Sequence, residues 1–128
     1  MAGEDIIYKI VTAEQWQRAE ETGRFEGAPV DIEDGYIHFS TAGQVRETAA
    51  KHFSGQIGLL LLRVSTAALA GRLRYEPSRG GQLFPHLYGD LSIEAVIGID
   101  DLPLGADGRH RFPDDLEAQG RSGGPTIR

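Results

Sequence analysis

The 128-residue sequence predicts a single α+β domain. Its predicted elements are a strand, a helix, a second strand and a second helix, followed by several strands. Two observations predict this class. Capping-box patterns follow two short β-type segments in the first half of the chain. In the second half, β-type segments are separated by turn residues, with no long helix between them. This order does not favour a doubly wound parallel sheet, which needs a helix after each strand.

The first strand and helix have clear local signals. Residues 6–11, IIYKIV, are rich in β-branched and aromatic side chains and predict a strand. Thr12 and Gln15 have capping-box spacing, and Gly23 supplies a helix stop. We therefore predict a helix over residues 13–22.

A loop and a second strand–helix pair follow. Residues 24–33 contain glycine and proline without an apolar period, so they predict a loop. Residues 35–40 predict a strand. Thr41 and Gln44 repeat the capping-box spacing and predict a second helix over residues 42–53. The sequence therefore predicts two short helices in all.

The second half of the domain is predicted to be mostly β. The apolar run at 56–64 predicts a central strand that is covered on both faces. Pro85 and Gly89 interrupt the segment 83–91, which therefore predicts an irregular or edge strand. The remaining predicted elements are a helical turn at 65–71 and strands at 72–77 and 92–100.

The C-terminal part of the chain has a different composition. From Gly105 onward the sequence is glycine-rich, charged and aperiodic. We therefore expect one domain over residues 1–104 and a largely flexible tail over residues 105–128.

Composition excludes several classes of function. The formal net charge is −6, which argues against general nucleic-acid binding. The chain has no cysteine, so disulfides, thiol catalysis and cysteine–zinc sites are excluded. Its apolar runs are too short to span a bilayer, and the N-terminus lacks the pattern of a signal peptide. We therefore expect a cytoplasmic protein that does not bind membranes.

The octapeptide DGYIHFST at 34–41 contains the first candidate site. Strand alternation places Ile37 and Phe39 on one face, and Tyr36, His38 and Ser40 on the other. The apolar face explains packing. The polar face is either hydrated or part of a site, since histidine titrates near neutral pH and recurs in functional sites.

The segment RLRYEPSRGGQLFPHLYGD at 72–90 contains the second candidate site. Its arginines, among them Arg74, form a local positive stretch that suits phosphate binding. Aromatic residues beside proline and glycine often fix a loop that presents side chains to a ligand. The other candidate side chains in this segment are Glu76, Gln82, His86 and Tyr88.

Lys9 is a third candidate, although a lysine on a strand more often faces solvent or protects a sheet edge. No spacing typical of a metal site is present, so we expect no metal.

The sequence resembles a family of small bacterial proteins known as domain of unknown function, number 952. Three stretches within residues 6–104 carry the resemblance, in the order IYKI, DGYIHFST and LFPHLYGDL. The resemblance implies the ADP-ribosyltransferase-like fold. That fold has split mixed or antiparallel sheets in an α+β domain, with a cleft between them for NAD. It also implies that NAD is a substrate.

The resemblance assigns roles by strand order. Lys9 lies where this fold often has a histidine, and Tyr36 to Thr41 correspond to its aromatic-Ser-Thr strand. Glu76 or Gln82 takes the final acidic position. RNA 2′-phosphotransferases of the same fold are also similar, since their His-Leu-Ser strand matches His38-Phe39-Ser40.

Three functions remain open. The first is a cleft that binds a nucleotide or another small phosphorylated molecule through Lys9, Tyr36, Ser40, Arg74, Gln82 and Tyr88. The second is an ADP-ribosyl- or RNA 2′-phosphate-transferring enzyme in which Glu76, His38 and His86 are catalytic. The third is a non-catalytic interaction domain. The first two require that His38, Ser40, Glu76, His86 and Tyr88 meet at one cleft.

Overall fold

The computed structural model describes residues 5–116, apart from the side chain of Arg79. The helices are α1 (Ala13–Thr22), α2 (Pro29–Asp34) and α3 (Val45–His52). The strands are β1 (Ile6–Thr12), β2 (Arg24–Phe25), β3 (Ile37–His38), β4 (Leu59–Ser65), β5 (Leu73–Pro77), β6 (Leu83–Leu87), β7 (Leu91–Ser92) and β8 (Val96–Asp101). Short 3₁₀ turns lie at Ala67–Leu69, Arg79–Gly81 and Ile93–Ala95. The α+β class is therefore confirmed.

The first sheet has the strand order β1–β4–β8, and both strand pairs are antiparallel. The central strand β4 has a run of buried residues from Leu61 to Val64. This burial confirms that the long apolar run forms a strand covered on both faces, as its composition predicts.

The second three-stranded sheet has the order β3–β6–β5, again antiparallel. The prediction that residues 83–91 form an irregular or edge segment is wrong, because β6 is the central strand. Pro85 supplies no amide donor to the sheet, but its carbonyl accepts a hydrogen bond from the amide of Phe39, at 3.0 Å. A third, two-stranded sheet pairs β2 with β7.

In the described part of the chain, one β-bridge joins the two larger sheets. The amide of Tyr8 donates to the carbonyl of Ser40 at 2.8 Å, and the amide of Ser40 donates back to Tyr8 at 2.9 Å. The two faces of β1 contribute to separate cores, with Ile7 and Val11 in one and Tyr8 in the other. Lys9 is on the same face as Ile7 and Val11, so a lysine lies at the border of an apolar core.

Helix α1 agrees with its predicted bounds. The side chains and amides of Thr12 and Gln15 form both hydrogen bonds of a capping box. Gly23 ends the helix with a positive φ of 88°, a conformation that favours glycine.

Within residues 5–116 the chain has three helices, and the prediction of two is wrong. The additional helix, α2, lies in the segment 24–33 that the sequence predicts as a loop. Pro29 occupies its first turn, and Asp31 Oδ2 accepts a hydrogen bond from the amide of Ala28 at 2.8 Å. With only six residues, α2 is too short to show an apolar period, which explains why the pattern missed it.

The second predicted helix begins later than expected, at Val45. Gln44 Oε1 accepts from the amide of Thr41 at 3.0 Å, which is one half of the predicted capping box. The residues between Thr41 and α3 form a turn instead of the first helical turn.

The beginning of the predicted tail contacts the domain. Leu104 and His110 form a β-bridge, and the side chain of Leu116 is fully buried. The hydroxyl of Tyr8 donates to the carbonyl of Leu116 at 3.0 Å. The rest of the predicted flexible tail, residues 117–128, lies outside the described residues. No helix in the described part of the chain is long and apolar enough to cross a bilayer.

Candidate functional site

One face of the β3–β6–β5 sheet carries most of the predicted site residues. His38, His86 and Arg74 are aligned across the three strands, so their side chains share this face. The opposite face packs into the core through Ile37 and Leu87. Residues two positions away along each strand project to the same side as the histidines: Tyr36, Glu76 and Tyr88.

His38 lies between two carboxylates. Its Nδ1 is 2.6 Å from Asp31 Oδ1, and its Nε2 is 2.9 Å from Asp34 Oδ2. The backbone amide of His38 also donates to Asp31, at 3.1 Å. Asp31 in turn forms an ion pair with Lys9 at 2.9 Å. The result is a continuous polar chain from β1 through α2 to β3.

Burial and neighbouring charges have opposing effects on the pKa values of Lys9 and Asp31. Burial disfavours the ammonium of Lys9 and lowers its pKa, although the nearby Asp31 opposes this effect. Burial would also raise the pKa of Asp31, but hydrogen bonds from His38 and the charge of Lys9 lower it to about 2. Both pKa values are lowered, which favours the charged form of Asp31 and disfavours that of Lys9. The charged form of Asp31 is favoured because it receives several donors, whereas Lys9 has Asp31 as its one ionic partner among the described contacts.

His86 is bonded to Glu76 on one side only. Its Nδ1 is 2.7 Å from Glu76 Oε1, and the hydroxyl of Tyr88 donates to the same carboxylate at 2.8 Å. The hydrogen bond from His86, followed by that from Tyr88, lowers the pKa of Glu76. The hydrogen bond to Glu76 raises the pKa of the Tyr88 phenol. Nε2 of His86 is buried and has no hydrogen-bond partner within the described part of the chain.

Tyr36 holds the two histidine rings together. Its ring stacks on His86 with a centroid distance of 4.1 Å, and it lies 4.8 Å from His38. The centroids of the two imidazoles are 5.5 Å apart. Arg74 lies 5.9 Å from the ring centre of Tyr88, at the edge of the cluster. Aromatic contacts therefore fix both imidazoles in one place.

A cleft of about 730 Å³ opens beside the histidines. Its size is in the range of roughly 300–1,000 Å³ that is usual for small-molecule sites. Apolar side chains from several elements line it, namely Tyr8, Ile10, Val30, Phe53 and Phe84. The polar side chains that line it include Lys9, Asp34, His38, Ser40, Thr48 and His86.

The remaining predicted residues have different positions. Ser40 lines the cleft, and its hydroxyl is 2.9 Å from that of Thr48. Glu76 contacts His86 from outside the cleft lining. Gln82 is apart from the histidines, in an exposed turn where its Oε1 is 3.4 Å from Gln44 Nε2. Glu76, and not Gln82, therefore belongs to the histidine cluster.

Asp31 and Asp34 are the site residues that the sequence pattern missed. Both are on α2, the helix that was predicted as a loop. Two sequence signals are weak indications of these contacts. Pro29 and Gly35 lie at the ends of a short helix, and Asp34 and His38 have i, i+4 spacing. Within residues 5–116, no three histidine, aspartate and glutamate side chains are grouped so that they would hold a metal ion.

Comparison with known proteins identifies the family. The profile of a family described as "Protein of unknown function (DUF952)" matches residues 10–99. The chain belongs to this family. No curated protein matches the chain. The family match covers the described histidine sites on β3 and β6.

Solved structures of one relative also match. The crystal structure of protein CC0527 from Caulobacter crescentus is 48% identical, with a TM-score of 0.83, and the match covers 87% of this chain and 97% of that one. A solution NMR structure of the same protein is 48% identical, with a TM-score of 0.75, and the match covers 82% of this chain and 90% of that one. The chain therefore has the fold of this relative over most of the relative's length.

Proposed function

We propose that the cleft binds a nucleotide or a closely related small phosphorylated molecule. The observation that carries the proposal is the Nε2 atom of His86, which is buried, has no hydrogen-bond partner among residues 5–116 and belongs to a ring that lines the cleft. A buried polar group without a partner costs about 1–3 kcal/mol, so a ligand that supplies the missing hydrogen bond gains that amount.

The tautomer of the His86 ring determines which chemical group the ligand must present to it. Because the ionised Glu76 accepts from Nδ1, the neutral ring carries its proton on Nδ1 and has a lone pair on Nε2. The atom that approaches Nε2 must therefore be a donor, such as a ribose hydroxyl. The apolar walls around Phe53 and Phe84 suit a flat ring such as a nucleobase.

An ADP-ribosyltransferase-like fold is part of this proposal. Two small antiparallel sheets joined at Tyr8 and Ser40, with a cleft at that junction, support it. The position of Lys9 and Ser40 on the cleft wall also supports it. Fold likeness is a weak guide to chemistry, so the ligand has to be tested directly.

Isothermal titration and thermal melting of the purified protein with NAD, ADP-ribose and AMP test the proposal. A ligand at about 100 times its Kd stabilises the folded state by about 2.7 kcal/mol, which raises Tm by several degrees. His86→Ala should abolish this rise. His110→Ala is a matched control, since His110 bonds the carbonyl of Gln56 at 2.7 Å and is outside the histidine cluster.

ADP-ribosyl transfer is the alternative within the same cleft. The position of Asp34, a carboxylate on the cleft wall, favours it, because a cation-like ribosyl centre needs a nearby negative charge. Release of nicotinamide from NAD by the wild type, and its loss in Asp34→Asn, would establish this reaction. Binding of NAD without release would leave the binding function alone, and no binding of any nucleotide would leave a non-catalytic interaction domain.

A further inference from the structure

We infer that His86 and His38 are the general base and general acid of a reaction that cleaves a ribonucleoside phosphodiester by internal transesterification. This inference rests on the proposed nucleotide site. It goes further, because it assigns opposite proton-transfer roles to two histidines with different hydrogen-bond partners.

The environment of His86 is that of a base. Glu76 holds the Nδ1 proton, so the lone pair is on Nε2, which is buried and unpartnered among the described residues. The other groups packed around the ring are Tyr36, Tyr88 and His38, with Arg74 near Tyr88. None of these groups forms a hydrogen bond with Nε2. A ligand hydroxyl that reaches Nε2 can therefore transfer its proton there.

The environment of His38 is that of an acid. Both ring nitrogens face carboxylates, and both can donate at once only when the ring carries two protons. Asp31 is buried and holds the Nδ1 side. Asp34 is on the Nε2 side, where its side chain is 40% exposed and that of His38 is 28% exposed. An exposed pair of this kind opens at little cost, so the Nε2 proton is the one available to a ligand.

The reaction conserves atoms and charge without another reactant. His86 Nε2 takes the proton of a ribose 2′-hydroxyl, and the oxygen forms a bond to the adjacent phosphorus. The bond between phosphorus and the 5′-oxygen of the next nucleoside breaks, and that oxygen receives the proton of His38 Nε2. The products are a 2′,3′-cyclic phosphate and a 5′-hydroxyl. Transfer of one proton between the two rings through water restores the starting state.

The distance between the rings fits this division of roles. The centroids are 5.5 Å apart on paired positions of β3 and β6, and the stacked Tyr36 fixes their spacing. Because both histidines line the cleft, one phosphodiester bound there is within reach of a base and an acid from neighbouring strands. The protonated His38 supplies the positive charge that favours the single negative charge of the diester.

The experiment follows cleavage of the dinucleoside monophosphate ApA by the full chain. Chromatography should detect adenosine 2′,3′-cyclic phosphate and adenosine in equal amounts, and the 2′-deoxy dinucleotide should not react. His86→Ala and His38→Ala should each lower the rate by about 10²- to 10⁴-fold. His110→Ala, purified in parallel, should keep the wild-type rate, and the loss of activity in His86→Ala and His38→Ala purified in the same way excludes a contaminating nuclease.

Glu76→Gln tests the positioning role of Glu76. It should lower kcat while KM for ApA stays unchanged, because the carboxylate fixes the base without touching the substrate. The wild-type pH–rate profile should be bell-shaped, and its acidic limb should move to lower pH in Glu76→Gln. A purely structural role for Glu76 would not move that limb.

The outcomes separate this inference from the proposed function. Binding of ApA without cleavage overturns the inference and keeps the nucleotide site, whereas absence of binding overturns both. Equal rates in the wild type, His86→Ala and His38→Ala also overturn the inference. If His86→Ala does not fold, as judged by circular dichroism, the partly exposed His38 and Glu76 variants decide the result.

Discussion

The two histidine environments differ in how completely their hydrogen bonds are satisfied. His38 bonds through both ring nitrogens, and its partner Asp31 also pairs with a buried lysine. His86 bonds through one nitrogen and leaves the other without a partner among the described residues. Two histidines on paired strands therefore differ in what their hydrogen bonds do. The Asp31 side holds α2 and β1 to β3, whereas the Glu76 side, in the function that we propose, prepares an atom for a ligand.

The largest expected effect is on the Asp31 side. Asp31→Ala removes the carboxylate that pairs with the buried Lys9, and loss of one member of a buried ion pair costs about 3–5 kcal/mol. Urea denaturation measures this loss as a lower midpoint. Asp34→Ala is the matched control, since its carboxylate is exposed and its loss should change the free energy of unfolding far less. Equal losses in the two variants would contradict the distinction.

The second-largest expected effect is the loss of folding stability at low pH, which also involves Asp31. Folding lowers the pKa of Asp31 from 3.8 to about 2, so its carboxylate form stabilises the folded state above about pH 4. This contribution, roughly 2 kcal/mol at 1.36 kcal/mol per pH unit, is lost as the pH falls from about 4 to about 2. Urea denaturation over this pH range measures it. Asp31→Asn should show a flatter pH dependence, and an unchanged slope would show that other carboxylates cause the acid sensitivity.

The smallest expected effect is on the packing between the two histidines. Tyr36→Leu removes the ring that stacks on His86, which should cost about 1 kcal/mol beyond the loss of buried area. Thermal melting measures the change. Tyr88→Phe keeps its ring and removes one donor to the partly exposed Glu76, so its Tm should shift less. A larger shift in Tyr88→Phe would mean that the Glu76 side also holds the fold together.

Local sequence was sufficient where neighbouring residues decide the structure. Thr12, Gln15 and Gly23 specify both ends of α1, because the groups that satisfy a helix terminus are a few residues away. The apolar run of β4 specifies a central strand, because a segment without a polar face must be covered on both sides. Strand alternation also placed Tyr36 and His38 on the polar face of β3.

The sequence was insufficient where the partner is distant or the element is short. Lys9 is a typical exposed strand residue by composition, yet the ion pair with Asp31, 22 positions away, makes it a buried one. Pro85 and Gly89 indicate an interrupted edge, whereas pairing on both sides makes β6 central. The sequence also left Glu76 and Gln82 as equal alternatives for the acidic position.

By itself, then, the sequence determined the class of the fold, the ends of α1, the central strand of the first sheet and the residue types available for chemistry. Only the tertiary structure decided that His38 and His86 are cross-strand partners, and that Asp31 and Glu76 bond them differently. The physical reason is the distance along the sequence between the residues that interact. Caps and alternation depend on residues a few positions apart, whereas a site depends on which apolar faces pack together and so on contacts between segments far apart in the chain.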